Sequence, residues 1–293
     1  MSANEPSRER VPIVDAHHHF WTPSRHDYYW MAGAELDPIR RTFGPGDLRP
    51  KLEAAGVDFT VLVQTVPSVE ETREFMGIAG RTRFVAGVVG WVDLTDDAVG
   101  ETLAALQSAP NGATLVGIRH QVHDEKDAQW LLRPDVQRGL AAVRDAGLAY
   151  DMLIRPRELP AALATARAFP EMRLVIDHLA KPPIASGKID EWAAQMEPFR
   201  ELPHVLCKLS GMVTEANWTS WAAADFHPYV VCVLDIFGPE RVMYGSDWPV
   251  CLLAGSYGEV KRALEEALPP LSDAERADVF GGNAMRFYGL DVA

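Results

Sequence analysis

The chain has 293 residues, 47% hydrophobic and 24% charged, with a formal net charge of −13. That acidic balance argues against a nucleic-acid partner, because phosphate backbones are bound through Lys and Arg surfaces, and no apolar run approaches the roughly 18 residues needed to cross a bilayer. The three cysteines, Cys207, Cys232 and Cys251, are odd in number and far apart, so neither a disulfide framework nor a thiolate zinc site is indicated.

Residues 1–10 are polar and lack the apolar core of a signal peptide, which predicts a disordered tail and a cytoplasmic location. From residue 11 to 293 nothing marks a second domain. Eight β-branched runs follow in order: Ile13–His17, Phe59–Thr65, Phe84–Val92, Leu115–His120, Ala149–Ile154, Arg173–Asp177, Val205–Leu209 and Val242–Ser246. Most are continuously apolar, as in parallel strands buried on both faces. Helical patterns lie between them, for example Asp97–Gln107, Pro134–Ala146 and Glu158–Phe169, the last stopped by Pro170. Thr22–Pro50 reads as a long loop after the first strand. Ser272–Tyr288 opens with a Ser-Asp-Ala-Glu capping pattern and reads as a closing helix pair. Strand–helix alternation at this length predicts a single-domain (β/α)₈ TIM barrel. The competing doubly wound sheet would show a glycine-rich turn after its first strand, where this chain has histidines.

Those histidines end the run Val14-Asp15-Ala16-His17-His18-His19. Alternation along a strand would present His17 and His19 to one side and His18 to the other, the geometry of a two-histidine metal clamp. A catalytic metal needs about three protein ligands and an open position. Later strand ends supply more: Ile176-Asp177-His178 and Gly245-Ser246-Asp247, with Arg119 and His120 at the end of the fourth run. In a barrel, such ends converge on one mouth.

Asp15-x-His17-x-His19, Asp-His178-Leu-Ala-Lys-Pro-Pro, Gly117-Ile-Arg-His120, Lys208-Leu-Ser-Gly211, Gly238-Pro-Glu-Arg241 and Gly245-Ser-Asp-Trp-Pro249 together resemble the amidohydrolase superfamily. The resemblance runs from about Val14 to Tyr288 and is nearest the sugar-lactonase branch, which includes L-fuconolactonases and L-rhamnonolactonases and is related to the 2-pyrone-4,6-dicarboxylate lactonases. It implies a distorted TIM barrel that opens a sugar 1,4- or 1,5-lactone to the aldonic acid. By the same resemblance, His17, His19, Asp247 and His178 would hold one divalent metal, zinc or else manganese. Many relatives carry Gln where this chain has His18, which adds an ionisable group beside the site. Arg119-His120 stands where two-metal members have a carbamylated lysine, which speaks for a single ion.

Lactone opening needs water activated against the carbonyl and a proton for the departing ring oxygen. Asp247 is the candidate base and proton shuttle. His178 is either a metal ligand or a donor to the substrate carbonyl. Arg119 would bind the oxyanion or product carboxylate, and Trp21, Trp30 and Trp248 would stack on the sugar ring. A metal-free lactonase of an unsaturated dicarboxylate, for which Arg25, Arg155 and Arg157 are further anion-binding candidates, is the first alternative. A related decarboxylase and a non-enzymatic sugar-acid binder follow. The expected partner is a small sugar lactone, with homo-oligomer formation left open.

Overall fold

A computed structural model of the chain describes residues 10–292. Of the expected tail, only Arg10 falls within the described residues. Eight short strands form where the β-branched runs lie: β1 Val14–His18, β2 Phe59–Val63, β3 Val85–Gly90, β4 Leu115–His120, β5 Ala149–Met152, β6 Leu174–Ile176, β7 Val205–Leu209 and β8 Val242–Tyr244. Each pairs in parallel with the next, in the order β1 to β8. The ring is sealed between its last and first strands by Asp247 N–H donating to the His17 carbonyl at 2.8 Å and His19 N–H to the Trp248 carbonyl at 2.7 Å. This monotonic, closing order is that of a TIM barrel and excludes the doubly wound sheet. The closing seam runs through the residues that carry the candidate chemistry.

Helices occupy the connections at Val99–Ser108, Pro134–Asp145 and Leu159–Ala168, within a few residues of the expected spans. The segment after β1 is less irregular than expected. It contains 3₁₀ turns at Tyr29–Met31 and Ala34–Ile39, and a helix, Pro45–Ala55, begins inside it. Proline at the first helical position and Asp47 accepting from the Gly44 N–H at 3.0 Å start that helix, local signals that periodicity overlooks. At the other end, Ser272 and Glu275 form the expected reciprocal cap, with the Ser272 N–H donating to Oε2 of Glu275 at 2.8 Å. The helix Asp273–Ala277 continues through a π turn, Asp278–Gly282, into Asn283–Tyr288.

Two apolar clusters hold the fold. The larger joins outward-facing strand residues such as Leu62, Ile118 and Ile176 to the helices. The smaller contains Val14, Ala16, Val61, Val89, Val116, Ala149, Val175 and Met243 with Ala284, Phe287 and Tyr288. Residues from so many strands can meet only inside the barrel, so this cluster is its floor, closed by the last helix. Side chains above that floor are polar.

Candidate active site

The site begins with a break in β1. Asp15 pairs with Thr60 but His18 pairs with Leu62, so one extra residue is inserted between them. Asp15 therefore turns outward, where Tyr257 Oη–H donates to it at 3.0 Å, while His17 turns inward. The extended geometry resumes afterwards: His17 and His19 share the interior, their Nε2 atoms 3.2 Å apart. His18 faces the other way, 2.8 Å from Thr60 Oγ1. Glycine at 245 leaves room for this arrangement, since a Cβ there would lie 2.7 Å from that of His17.

His178 arrives by an unusual route. His178, Leu179, Ala180 and Lys181 all have φ between 52° and 56°, four consecutive non-glycine residues in the left-handed region. Such a conformation costs about 1–2 kcal/mol per residue. Offsetting contacts are the Lys181 N–H to the His178 carbonyl at 2.7 Å, Trp192 Nε1–H to the Leu179 carbonyl at 2.8 Å, and Ser210 Oγ 2.8 Å from His178 Nδ1. Gly211, itself at φ 64°, passes so close that a Cβ would stand 2.6 Å from the His178 ring. Asp247 also lies in the left-handed region, at φ 56°. Strain at both candidate ligands is the pattern expected where a backbone is forced to aim a side chain.

Hydrogen bonding assigns protons within the cluster. His19 Nδ1 is 2.7 Å from the Val63 carbonyl, which only accepts, so Nδ1 carries the proton and Nε2 the lone pair. His17 stands between two cations that only donate, with Arg119 Nη1 3.2 Å from its Nε2 and Lys208 Nζ 3.2 Å from its Nδ1. The same Nδ1 lies 3.4 Å from Asp177 Oδ1. Burial holds all three imidazoles neutral: it pushes His17 far below its ordinary range, lowers His19, and brings His178 down to about 3. Burial pushes the Asp247 carboxyl up, but His178 and His19 beside it outweigh that and leave it below the usual carboxylate range.

Asp247 Oδ1 stands 3.4 Å from His19 Nε2 and 3.9 Å from Nε2 of both His17 and His178. His17, His178 and Asp247 offer ligand atoms within 4.8 Å of one another. The His19 lone pair and the Asp247 carboxylate facing each other without a shared proton, with the His17 and His178 rings on the same carboxylate oxygen, form a donor set that fits a zinc-type cation.

Beneath this cluster lies a fully buried ionic layer. Lys208 Nζ is 2.6 Å from Asp151 Oδ2, 3.0 Å from Asp177 Oδ1 and 3.2 Å from His17 Nδ1. Arg119 Nη1 reaches Asp177 Oδ2 at 3.2 Å, and its Nη2 donates to the Gln64 carbonyl. Burial raises Asp177, yet Lys208 and His17 together hold it well below its ordinary range. Burial also raises Asp151, opposed by Lys208, to about 6, which leaves it ionised at neutral pH.

Above the cluster opens a pocket of about 440 Å³ lined by His19, Tyr29, Trp30, Thr65, Arg119, Gln121, His123, Asp124, Leu153, Arg155, His178, Lys181, Asp247 and Val250. A hollow of about 530 Å³ along residues 23–40 shares only Tyr29 with it and holds none of the strand-end residues. Of the residues singled out in the sequence, His17, His19, His178, Asp247, Arg119, Arg155 and Trp30 come together here. The others do not. His18 is fully buried on the outer side of β1, where burial lowers it to about 3. Trp21 is buried and bonds the Ile39 carbonyl at 3.0 Å, and Trp248 is buried 5.2 Å from the Phe43 ring. Both pack the mouth from behind. His120 stacks on Trp130 at 4.2 Å and bonds Glu125 at 2.8 Å, outside the pocket lining. Arg25 pairs with Glu74 and Arg157 with Glu158, while Arg155 lines the pocket.

Residues the strand-end rule passed over lie one to five positions beyond the strands: Gln121, His123 and Asp124 after β4, Arg155 after β5, Lys181 after β6. Asp151 and Lys208 had a signal in the sequence, a charge inside an otherwise buried strand.

Comparison with known proteins agrees with this geometry. A family model described as Amidohydrolase matches residues 14–290. The chain is 44% identical over 285 residues to an L-fucono-1,5-lactonase of Burkholderia ambifaria, covering 95% of this chain and 96% of that protein. It is 38% identical over 288 residues to an L-fucono-1,5-lactonase of Burkholderia multivorans, covering 94% and 96%. A crystal structure of an amidohydrolase from Burkholderia multivorans with bound zinc superposes with a TM-score of 0.90 at 37% identity, over 96% of this chain and all of that one.

Proposed function

The chain belongs to the amidohydrolase family, and from that premise we propose that it is a lactonase that opens a sugar lactone of the L-fucono-1,5-lactone kind to the aldonic acid. The observation that carries the reading is the convergence of three neutral imidazoles and the ionised Asp247 at the base of a polar, sugar-sized pocket. Likeness over nearly the full length to two L-fucono-1,5-lactonases supports the substrate class.

Asp247 accepts the proton of the attacking water and returns it to the ring oxygen as that oxygen leaves. Arg119 lines the pocket, and its positive charge stabilises the oxyanion that forms on the carbonyl. His17, His19, His178 and Asp247 would hold a divalent ion, zinc in this reading. When bound, such an ion lowers the pKa of water from about 16 to about 7 and polarises the carbonyl. Trp30 offers its face to the apolar side of the sugar, and Asp124, Tyr29, Gln121 and Thr65 offer partners to its hydroxyls.

Pocket charge supports a neutral sugar over a dicarboxylate. Arg119 is committed to Asp177 and Gln64, and Lys181 to Glu215 at 2.8 Å. Arg155 alone has no carboxylate partner among the described residues, and Asp124 shares the pocket with it. No helix of the described residues is long and apolar enough to cross a membrane. The three free thiols support a reducing, cytoplasmic setting.

The test is a pH-indicator assay of the purified protein over a panel of sugar lactones, with metal content measured alongside and chelator as a second arm. Hydrolysis of a six-membered sugar lactone with about one zinc per chain, lost on chelation, is expected. Failure on every sugar lactone, with hydrolysis of an unsaturated dicarboxylate lactone or carbon dioxide release instead, would overturn the substrate assignment.

A further inference from the structure

We infer that Tyr288, Asp151 and Lys208 form a positioning chain that runs from the last helix, up through the barrel interior, to His17 and Arg119. Tyr288 Oη–H donates to Asp151 at 2.8 Å to Oδ2 and 3.0 Å to Oδ1. Asp151 Oδ2 accepts from Lys208 Nζ at 2.6 Å, and the same ammonium lies 3.0 Å from Asp177 Oδ1. Asp177 then divides its carboxylate, Oδ1 toward His17 Nδ1 at 3.4 Å and Oδ2 toward Arg119 Nη1 at 3.2 Å. All of these side chains are buried, and the two carboxylates are balanced by the two cations.

Stability does not call for this layer. The floor directly below it is apolar, and replacing buried ion pairs by apolar side chains of similar volume is commonly neutral or stabilising. What the ions supply is direction. With the Lys208 ammonium 3.2 Å and Asp177 Oδ1 3.4 Å from His17 Nδ1, and Asp177 Oδ2 on Arg119 Nη1, the layer fixes the imidazole with its Nε2 facing the cluster and fixes the guanidinium beside it. Tyr288 makes the last helix a participant in that order as well as a plug: its ring sits 5.5 Å from Lys208 Nζ while its hydroxyl orients Asp151. Outer partners of this kind fix ring orientation and tautomer, and their loss typically costs about 10–100-fold in affinity or activity.

Three variants test the chain: Tyr288→Phe, which keeps the ring and removes the hydroxyl, Lys208→Met, and the charge-balanced pair Lys208→Met with Asp151→Asn. The inference rests on the lactonase reading for its assay alone, so a second readout is independent of turnover: the ¹⁵N signals of His17 in histidine-labelled, metal-free protein, which report the protonated nitrogen. Lys208→Met should lower kcat about 10–100-fold with KM within about twofold, and shift the ¹⁵N signals of His17 from their wild-type positions. Tyr288→Phe should act in the same direction by a smaller factor, and it carries the test if Lys208→Met does not fold. Wild-type kcat and unchanged His17 signals in folded Tyr288→Phe and in the double variant would overturn the inference. If the wild type opens no sugar lactone, the lactonase reading fails and the His17 signals still decide the chain.

Discussion

The Nε2 of His19 lies 3.4 Å from Oδ1 of Asp247, and neither atom has a proton to share. His19 donates its one proton to the Val63 carbonyl at 2.7 Å, and the Asp247 carboxyl lies below the usual carboxylate range. Two electron-rich atoms so close are relieved by a cation, so the folded protein should bind zinc and melt higher with it. At a hundredfold excess over Kd the stabilisation is about 2.7 kcal/mol. Melting curves with zinc and with chelator check this, and His19→Ala should lose most of the difference. A melting temperature indifferent to zinc would move these residues to direct contact with substrate.

Asp247→Asn keeps the size of the side chain and removes its basicity. Turnover of the best sugar lactone should fall by about 10²–10⁴-fold, the usual scale for a positioned general base, while the fold survives. Near-normal turnover in this variant would sink the shuttle.

At the pocket rim, Tyr29 Oη–H donates to Asp124 Oδ2 at 3.0 Å and His123 Nε2 lies 3.2 Å from Oδ1. Burial pushes that carboxyl up, and these bonds bring it below its ordinary range, so it is an ionised acceptor for sugar hydroxyls. Asp124→Asn should therefore raise KM for a hydroxylated lactone about tenfold, with kcat changed far less, on the scale of hydrogen bonds to charged groups. A simple lactone without hydroxyls should show no such change in steady-state kinetics.

Gly211→Ala sets a left-handed residue and a new methyl group against the His178 ring, 2.6 Å away. A loss of about 1–2 kcal/mol from backbone strain is the minimum expected. Activity should fall more than stability, because the imidazole is displaced. Chemical denaturation together with kinetics on the same preparation separates the two, and an unchanged kcat would show that the ring has room to give.

Much was legible in the chain as written. The eight apolar runs foretold the eight strands because a strand buried on both faces must be apolar throughout, whatever it packs against. His17 and His19 were readable as partners because side-chain alternation is local, and the bulge before His17 leaves the spacing between the two intact. Asp247 and His178 stood out as polar residues just past strand ends. By contrast, Trp21 and Trp248 look in sequence like sugar-stacking aromatics. Which face an aromatic presents is decided by what surrounds it, and both are enclosed by Phe43 and its neighbours.

The sequence by itself determined the barrel, the polar rim of its strands and the ligand types available, because periodicity and residue chemistry are properties of short stretches. Only the tertiary structure decided that Asp15 turns out while His17 turns in, that four residues around His178 adopt left-handed backbone, and that Tyr288 meets Asp151, 137 residues away, beneath the site. Those outcomes depend on ring closure and on contacts between distant segments, where a local preference is overruled by what the assembled interior can accommodate.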